Sequence, residues 1–288
     1  MPKNIQEALN DSDWKSVVME EMNALRRSGT WEVIDLPMDK KIVGCKWVFI
    51  VKCKVDGSIE RFKARLMAKG LTQTHGVDYQ ETFAPFTKIN YIHVLLSLAV
   101  NYNWPLHQLD IKNAFMNGNL EKEVFMSPTS GFEKVFGQNK IYKLGKSLYG
   151  LKQSPRAWFE HFGTAVKSYG YHQSQIDHTM FYKHSEGGKI WILVIYVDDI
   201  ILIGDDLKEL TDLKKRMPQD FEIKDLRMLK YFLSMKFARL KEYIFVNQRK
   251  YILDLLKETG LLDCKATETP IEVNLKLNPA MIARNFRD

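Results

Sequence analysis

Cysteine and long apolar runs are scarce in this chain of 288 residues. Its three cysteines (Cys45, Cys53 and Cys264) are too few for a disulfide framework, and their spacings match no zinc-binding pattern. This points to a reducing, intracellular compartment. The longest apolar stretch, residues 190–203, contains two aspartates and is too short to span a bilayer, and residues 1–14 lack the apolar core of a secretory signal. The sequence therefore predicts a soluble intracellular protein with no membrane partner.

The remaining composition is that of a folded globular protein. Apolar residues make up 45% of the chain and charged residues 27%, with 16 glycines and 9 prolines. These values exclude disordered and collagen-like chains. The length allows one large domain or two smaller ones.

Positive charge is concentrated in one segment. Residues 40–75 contain nine Lys and Arg against two acidic residues, a net charge of +7 that equals the net charge of the whole chain. Residues 1–39 are acidic by contrast, with four basic and eight acidic residues. A local basic stripe is typical of a phosphate-binding surface, although a solvated pair of strands with ordinary surface lysines has the same composition.

Hydrophobic periodicity predicts a mixture of helices and hairpins. Helices are expected at about 12–28, 89–100, 154–170, 206–217 and 247–260, the third with Ser154 as its N-cap. Strands are expected at 31–36, 42–55, 59–69, 106–111, 179–184, 189–197, 200–203, 231–238 and 243–246. An Asp56-Gly57 turn would join the second and third strands into a hairpin that carries the basic residues. Mixed elements with several hairpins indicate the α+β class rather than a parallel α/β sheet.

Two adjacent aspartates interrupt the most apolar part of the chain. Asp198 and Asp199 join two strands of Ile, Leu, Val and Trp for which burial on both faces is expected. Aspartate is a common turn residue, but two carboxylates in such a place repel each other and lose hydration unless a cation compensates. Mg²⁺ binds through such carboxylates together with substrate phosphates. Asp110, at the end of another predicted strand, would complete a two-metal site for phosphoryl displacement.

An ordered series of motifs extends over nearly the whole chain. In chain order they are GCKWVF (44–49), KARL (63–66), KG (69–70), DYQETFAP (78–85), QLD (108–110), NAF (113–115), KSLYGLKQSPRAW (146–158), YVDD (196–199) and KDL (224–226). This series resembles the reverse transcriptase domain of copia-like LTR retrotransposon polyproteins. The resemblance implies a right-hand polymerase architecture with fingers, an antiparallel palm sheet and part of a thumb. It also implies DNA synthesis from dNTPs on a primed RNA or DNA template with Mg²⁺ or Mn²⁺.

The resemblance assigns a metal site. Asp110, Asp198 and Asp199 match the catalytic, metal-binding triad of the family. Ile111 matches the residue whose backbone carbonyl also faces a metal. Lys224 either corresponds to a proton-donating lysine near the pyrophosphate or is an exposed surface lysine.

The resemblance also assigns nucleotide and primer contacts. Lys63 and Arg65 match residues of the fingers that grip the incoming triphosphate, and Phe115 matches the aromatic residue that closes on the sugar. Gln153 belongs to the loop and helix start beneath the template base and is expected to contact the nucleotide. The primer-grip hairpin is matched by Phe232, Leu233, Ser234 and Met235.

The resemblance divides the chain into four regions. These are an N-terminal helical segment (1–30), fingers with the basic hairpin at 42–69 (31–105), a palm with a finger-like insertion near 112–150 (106–240), and a partial thumb with a tail (241–288). No RNase H domain is expected, because the tail does not resemble the continuation of the family. The template, the primer and the oligomeric state are left open.

Four positions depart from the pattern of the family. His93 stands where arginine is usual, Arg227 and Ser234 where glycine is usual, and Lys236 where an acidic residue is usual. If glycine serves there for a positive φ, serine strains the primer grip. Two hypotheses therefore remain: an RNA-directed DNA polymerase, or a catalytically inactive retrotransposon remnant that retains nucleic-acid binding. A two-metal nuclease is disfavoured because no further acid or histidine lies near the adjacent aspartates in the sequence.

Overall fold

The computed structural model contains two compact units. The first comprises Met1–Lys230 and Leu240–Ile244, and the second comprises Tyr231–Arg239 and the described residues from Phe245 onward. The division begins at Tyr231, and the four regions inferred from the resemblance stay a prediction. The turn predicted at Asp56-Gly57 and the predicted tail lie outside the described residues. The structure describes residues 1–38, 40–54, 58–129, 131–132, 140–240 and 243–265.

Helices and strands occur together along the chain. The described residues form helices α1–α6, which are Ile5–Asn10, Ser12–Arg27, Ile89–Asn101, Ser154–Ser168, Leu207–Arg216 and Arg249–Glu258. They form strands β1–β15, which are Trp31–Asp35, Ile42–Val43, Cys45–Cys53, Ile59–Ala68, Leu106–Ile111, Asn119–Met126, Lys140–Lys146, His172–Gln173, Met180–His184, Ile190–Tyr196, Asp199–Gly204, Ile223–Met228, Tyr231–Phe232, Met235–Arg239 and Ile244–Asn247. Within these residues, no helix combines the length and the apolar character needed to cross a membrane. The predicted α+β class is confirmed.

A six-stranded antiparallel sheet, called here the palm sheet, carries the aspartates. Its strand order is β12-β5-β11-β10-β9-β8. Almost every residue of β10 and β11 is buried, as expected for strands covered on both faces. Trp158 and Phe162 of α4 and Leu213 of α5 join these strands in one apolar core. Burying such side chains contributes roughly 1.5–3 kcal/mol each, so the palm sheet is a stiff platform for the residues at its ends.

A second sheet and a two-stranded ribbon form the other core of the first unit. The sheet has the order β1-β7-β6-β2, and β3 and β4 pair with each other to form the basic hairpin. Asp11 caps helix α2, because its carboxylate accepts from the backbone N–H groups of Asp13 and Trp14. It packs along β4 with Val18 and Leu25 fully buried. The ribbon is thereby fixed to the N-terminal helix.

Two glycines join the ribbon to the loop that follows β7. The backbone N–H of Ala68 donates to the carbonyl of Tyr149 at 2.7 Å. A Cβ atom on Gly150 would lie 2.2 Å from the carbonyl oxygen of Ala68, and one on Gly70 would lie 2.1 Å from the oxygen of Gly150. The backbones therefore touch at a place that has no room for a side chain.

The second unit contains a three-stranded sheet and helix α6. Its strand order is β13-β14-β15, and a two-residue turn of Leu233 and Ser234 joins the first two strands. Both turn residues have positive φ angles, 49° and 61°. This is the backbone of a tight hairpin turn for which glycine and asparagine are the usual choices.

One predicted helix cap is wrong, and several elements escaped prediction. Ser154 is the first residue of α4 and is buried, and its hydroxyl donates to the carbonyl of Leu148 at 2.7 Å instead of capping the helix. Gln153 occupies the cap position without a capping hydrogen bond from its side chain. The short helix α1 and strands β6, β7, β8 and β12 were not predicted. Tertiary hydrogen bonding overrides the local preference of serine for a cap.

Candidate active site

Three carboxylates meet at one end of the palm sheet. The β10–β11 hairpin closes in a two-residue turn of Val197 and Asp198, with Asp199 as the first residue of β11. Asp110 of β5 pairs directly with Asp199 across the ladder. Such directly opposed residues have Cβ atoms roughly 4.5–5.5 Å apart. The backbone N–H of Ile111 donates to the carbonyl of Asp198 at 2.8 Å, so the backbone brings the predicted triad together.

The turn that carries Asp198 has an unusual backbone. Val197 has a φ of 57°, a left-handed conformation that β-branched residues rarely adopt. Its carbonyl oxygen accepts a hydrogen bond from Nε1 of Trp158 at 2.7 Å. Trp158 is buried in α4, so a rigid helix holds the strained turn in place.

Two of the three carboxyl groups, Asp198 and Asp199, have raised pKa values. Loss of hydration raises the pKa of Asp198, and the charge of Asp110 adds to that effect while Lys63 opposes it. Burial raises the pKa of Asp199 to about 6, with further contributions from Asp198 and Asp110. The nearby positive charge is therefore too small to offset the burial and mutual repulsion of these two carboxylates.

A buried glutamine contacts one of the acids. Nε2 of Gln108 donates to Oδ1 of Asp199 at 2.9 Å, a hydrogen bond that favours the charged carboxylate. Gln108 belongs to the QLD motif, but the sequence assigned no role to it. Among the described residues, no group of three His, Cys, Asp or Glu side chains is able to hold a metal ion. The Asp199 carboxylate is directed to Gln108 instead.

A cleft of about 530 Å³ lies beside Asp110 and Asp198, and its other wall is basic. Arg61, Lys63 and Arg65 alternate along β4, so their side chains share one face of the ribbon. Lys224 pairs with Asp110 across β5 and β12. The basic residues that line the cleft include Lys52, Arg61, Lys63, Arg65 and Lys224. An anionic ligand in this cleft would contact positive charge on one side and the carboxylates on the other.

Lys63, a residue of the basic wall, has a lowered pKa. Burial lowers its pKa, and the charges of Arg65 and Arg61 lower it further. The charge of Asp198 has the opposite effect, because it favours the protonated ammonium. Lys63 is therefore electrostatically coupled to both walls of the cleft.

Arg65 is held by an acid that sequence reasoning missed. Its Nη1 lies 2.5 Å from Oε2 of Glu21 on α2, and its guanidinium carbon lies 5.5 Å from the ring centroid of Tyr149. Burial raises the pKa of Glu21, while the charge of Arg65 and the backbone N–H of Leu66 oppose the shift. The available signal was the position of Glu21, seven residues after Trp14 on the buried face of an amphipathic helix.

Phe115 lies behind the wall of the cleft. It belongs to a short 3₁₀ turn, Ala114–Asn117, and is half-buried against the palm core. Its ring meets the ring of Tyr149 edge-on, with centroids 5.1 Å apart. Tyr149 lines the cleft, as does Phe62. The structure therefore places Phe115 next to the cleft through Tyr149.

Gln153 is not brought to this cleft. Its Oε1 accepts from Nε2 of Gln73 at 3.0 Å, and its own amide lies 3.5 Å from the carbonyl of Asp78. It lines a separate cleft of about 230 Å³ that also includes Tyr79 and Arg156. The residues predicted to contact the nucleotide therefore do not share one cleft, because Lys63 and Arg65 line the larger cleft and Gln153 lines the smaller one.

The residues predicted to form the primer grip lie in the β13–β14 hairpin of the second unit. Phe232 and Met235 pair across the ladder and are buried, whereas Ser234 is exposed at the turn. Lys236 is exposed and pairs with Tyr231. The positive φ of Ser234 is the strained backbone expected where the family has glycine.

The other departures lie in the first unit. Arg227 has a φ of 65° beside a β-bulge that separates it from Asp225 in the pairing of β12 with β5. His93 is exposed on α3. Both positions where glycine is usual, Arg227 and Ser234, thus have positive φ.

The chain is similar in sequence to known proteins. The chain is 39% identical to the retrovirus-related Pol polyprotein from transposon RE1 of Arabidopsis thaliana, over 96% of this chain and 19% of that protein. It is 35% identical to the corresponding polyprotein from transposon TNT 1-94 of Nicotiana tabacum, over 97% and 22%. A foamy viral protease-reverse transcriptase in complex with dsDNA superposes with a TM-score of 0.47 at 15% identity, covering 88% of this chain and 47% of that chain.

A family model covers most of the chain. The model described as reverse transcriptase (RNA-dependent DNA polymerase) matches residues 28–273. The chain spans about a fifth of the length of the plant polyproteins. The resemblance inferred from the motifs is thereby confirmed. The chain belongs to the reverse transcriptase family, among the domains of copia-like retrotransposon polyproteins.

Proposed function

We propose that this chain acts as an RNA-directed DNA polymerase, which transfers nucleotides from dNTPs to the 3′ end of a primer on an RNA or DNA template. One observation carries the proposal. Asp110 and Asp198 line the same cleft as Lys63 and Arg65, so carboxylates face a basic wall. A triphosphate bound to metal ions needs both kinds of group.

The chemistry of the donor atoms, though not the direction of the Asp199 carboxylate in this structure, suits a hard divalent cation such as Mg²⁺ or Mn²⁺. Asp110, Asp198 and Asp199 offer carboxylate oxygens, and Ile111 would add its backbone carbonyl. The raised pKa values of Asp198 and Asp199 reflect burial and mutual repulsion of their charged forms, and a bound cation would offset both effects. Two bound ions would stabilise the attacking and leaving oxygens of the transfer.

The remaining residues would bind and orient the substrates. Lys63 and Arg65 grip the triphosphate as charged donors. Phe115, acting with Tyr149, closes on the sugar. Gln153 contacts the nucleic acid from its separate cleft.

The basic hairpin and the second unit would hold the primed template. Exposed lysines on the ribbon meet phosphates, so binding should weaken as salt rises. The primer-grip hairpin would position the 3′ end through Phe232, Leu233, Ser234 and Met235.

The positive φ angles of Arg227 and Ser234 favour a second candidate. Non-glycine residues at such positions are strained. A catalytically inactive remnant that still binds nucleic acid through the basic hairpin would tolerate this strain.

Primer extension on an RNA template with Mg²⁺ or Mn²⁺ separates the two functions. Wild type should extend the primer, and Asp198→Asn should not, while keeping its melting temperature and its salt-sensitive binding. Asp205→Asn is the matched control, since Asp205 is exposed just beyond the opposite end of β11. Folded wild-type protein that binds the primed template without extending it would establish the remnant. Mn²⁺ should also stabilise wild type against heat more than it stabilises Asp198→Asn.

A further inference from the structure

A buried glutamate lies beneath the basic wall of the cleft. Glu21 is on α2, its side chain is 1% exposed, and it precedes the segment matched by the family model. Acids are rarely buried so completely without a partner or a role. Its partners are the guanidinium of Arg65 and the backbone of the same strand.

Glu21 binds the strand at two adjacent points. Oε2 pairs with Nη1 of Arg65 at 2.5 Å, and Oε1 accepts from the backbone N–H of Leu66 at 3.4 Å. The N–H of Leu66 points away from β3 on an edge strand, where a partner outside the ladder is needed. The carboxylate therefore fixes both the strand edge and the arginine side chain.

The guanidinium is held on a third side as well. It lies over the ring of Tyr149, which together with Arg65 lines the cleft. The Arg65 side chain is 20% exposed, so only part of its donor fork faces the cleft. A guanidinium group that is already fixed in this way loses little conformational entropy when it binds a phosphate.

We infer that Glu21 is a positioning residue for nucleotide binding, because it fixes the Arg65 guanidinium over Tyr149 in the orientation that receives the triphosphate. This inference rests on the proposed polymerase function. Glu21 does not touch the nucleotide itself.

Charge alone predicts the opposite effect of removing Glu21. A negative charge behind Arg65 weakens the positive potential of the cleft, so its neutralisation would strengthen triphosphate binding. Loss of a positioning contact would weaken it instead. The direction of change therefore distinguishes the two roles.

The test compares Glu21→Gln with Glu20→Gln in primer extension over a range of dNTP concentrations. Glu20 is the exposed neighbour on α2, so its replacement removes the same charge without removing the contact with Arg65. We expect Glu21→Gln to raise the KM for dNTP about tenfold, the loss typical of one charge-assisted hydrogen bond. The kcat should stay within about threefold of wild type, because the chemical step is not touched. Glu20→Gln should leave KM unchanged or lower it.

A double variant keeps the test valid if the buried substitution disturbs the fold. Arg65→Lys retains the charge but cannot hold Glu21 and a phosphate in one planar fork. If Glu21 acts through Arg65, Glu21→Gln combined with Arg65→Lys should raise KM no more than the larger single change. Additive effects, or a KM for Glu21→Gln at or below that of wild type, would overturn the inference. Absence of extension by folded wild type would instead reject the polymerase function, and dATP displacement of a fluorescent dATP analogue would then compare Glu21→Gln with wild type. Equal displacement by the two proteins would overturn the inference.

Discussion

Trp158 donates from its indole Nε1 to the carbonyl oxygen of Val197 at 2.7 Å, so a buried helix is bonded to the turn that presents Asp198. Val197 is strained at a φ of 57°. A strained turn persists only where its surroundings determine its conformation. The orientation of the Asp198 carboxylate therefore depends on a side chain that is not among the residues lining the cleft.

Trp158→Phe removes this donor, and we expect kcat for extension to fall about tenfold as the Asp198 turn relaxes. The free energy of unfolding should decrease by about 1–3 kcal/mol more than in Trp191→Phe. Trp191 is the matched control, since it is equally buried and its Nε1 finds no partner among the described residues. Urea denaturation and single-turnover kinetics of both variants provide the comparison. Equal losses in the two variants would show that ring volume, not the hydrogen bond, matters.

Asp199→Asn should stabilise the metal-free protein at neutral pH. Burial and the neighbouring acids raise the pKa of Asp199 from 3.8 to about 6, so the folded state binds this proton more tightly than the unfolded state. The Asp199 carboxyl therefore lowers the stability of wild type as pH rises from about 4 to about 6, and the variant lacks this contribution. We expect a difference of about 1–2 kcal/mol at pH 7 that vanishes near pH 4.

The measurement is urea denaturation of the metal-free proteins between pH 4 and pH 8. Asp35→Asn, an exposed position on β1, should show no such trend. A constant difference between wild type and Asp199→Asn across this range would contradict the electrostatic origin.

Lys63→Ala should act on the nucleotide, and Lys46→Ala on the template. The two lysines lie on the same face of the basic hairpin, but only Lys63 lines the cleft. We expect Lys63→Ala to raise the KM for dNTP about tenfold, as loss of a charged hydrogen bond would. Lys46→Ala should leave that KM unchanged and reduce the log–log salt slope of template binding by about one unit. Identical behaviour of both variants would remove the distinction between the two surfaces.

Phe115→Val should relax discrimination against ribonucleotides. If Phe115 closes on the sugar together with Tyr149, as proposed, its ring would leave no room for a 2′-hydroxyl and would give it no hydrogen-bond partner, and such exclusion exceeds the roughly 1–3 kcal/mol of a single methylene. The readout is the ratio of kcat/KM for dNTP and rNTP. Phe159→Val is the control, because Phe159 packs against the same core from α4. If both variants merely lower both rates, Phe115 is a core residue.

Ser234→Gly should relieve strain in the primer-grip turn. Glycine adopts the φ of 61° without a Cβ clash, so we expect a gain of about 0.5–1 kcal/mol in unfolding free energy and higher processivity. Ser97→Gly, within helix α3, should instead destabilise the protein by a few tenths to about 1 kcal/mol. A destabilising Ser234→Gly would mean that the turn conformation is compatible with serine.

Local patterns in the sequence were sufficient to predict the ribbon and the meeting of the acids. Alternation across an Asp-Gly turn predicted β3 and β4, and strand ends at Asp110 and Asp198 predicted their proximity. Strand β12 escaped because it is an edge strand with charged residues among its apolar ones, which blurs the alternation. Its Lys224 nevertheless lines the cleft.

Contacts between distant segments were not predictable in the same way. Glu21 meets Arg65 across 44 positions, and Gln108 meets Asp199 across 91. Each pair depends on how distant helices and strands pack together, and the sequence alone does not reveal that packing. Gln153 shows the converse, since a residue assigned by motif is drawn into a neighbouring cleft by Gln73.

The contact of Gly70 and Gly150 has a mechanical consequence. The ribbon that bears Arg65 and the loop that bears Tyr149 are joined by a backbone hydrogen bond of 2.7 Å from Ala68 to Tyr149, in addition to the contact of the Arg65 guanidinium with the Tyr149 ring. Rotamer changes cannot loosen the backbone part of this joint. Any movement of the ribbon would carry Tyr149 with it. The basic wall of the cleft and the loop that bears Tyr149 would therefore move together as one rigid body.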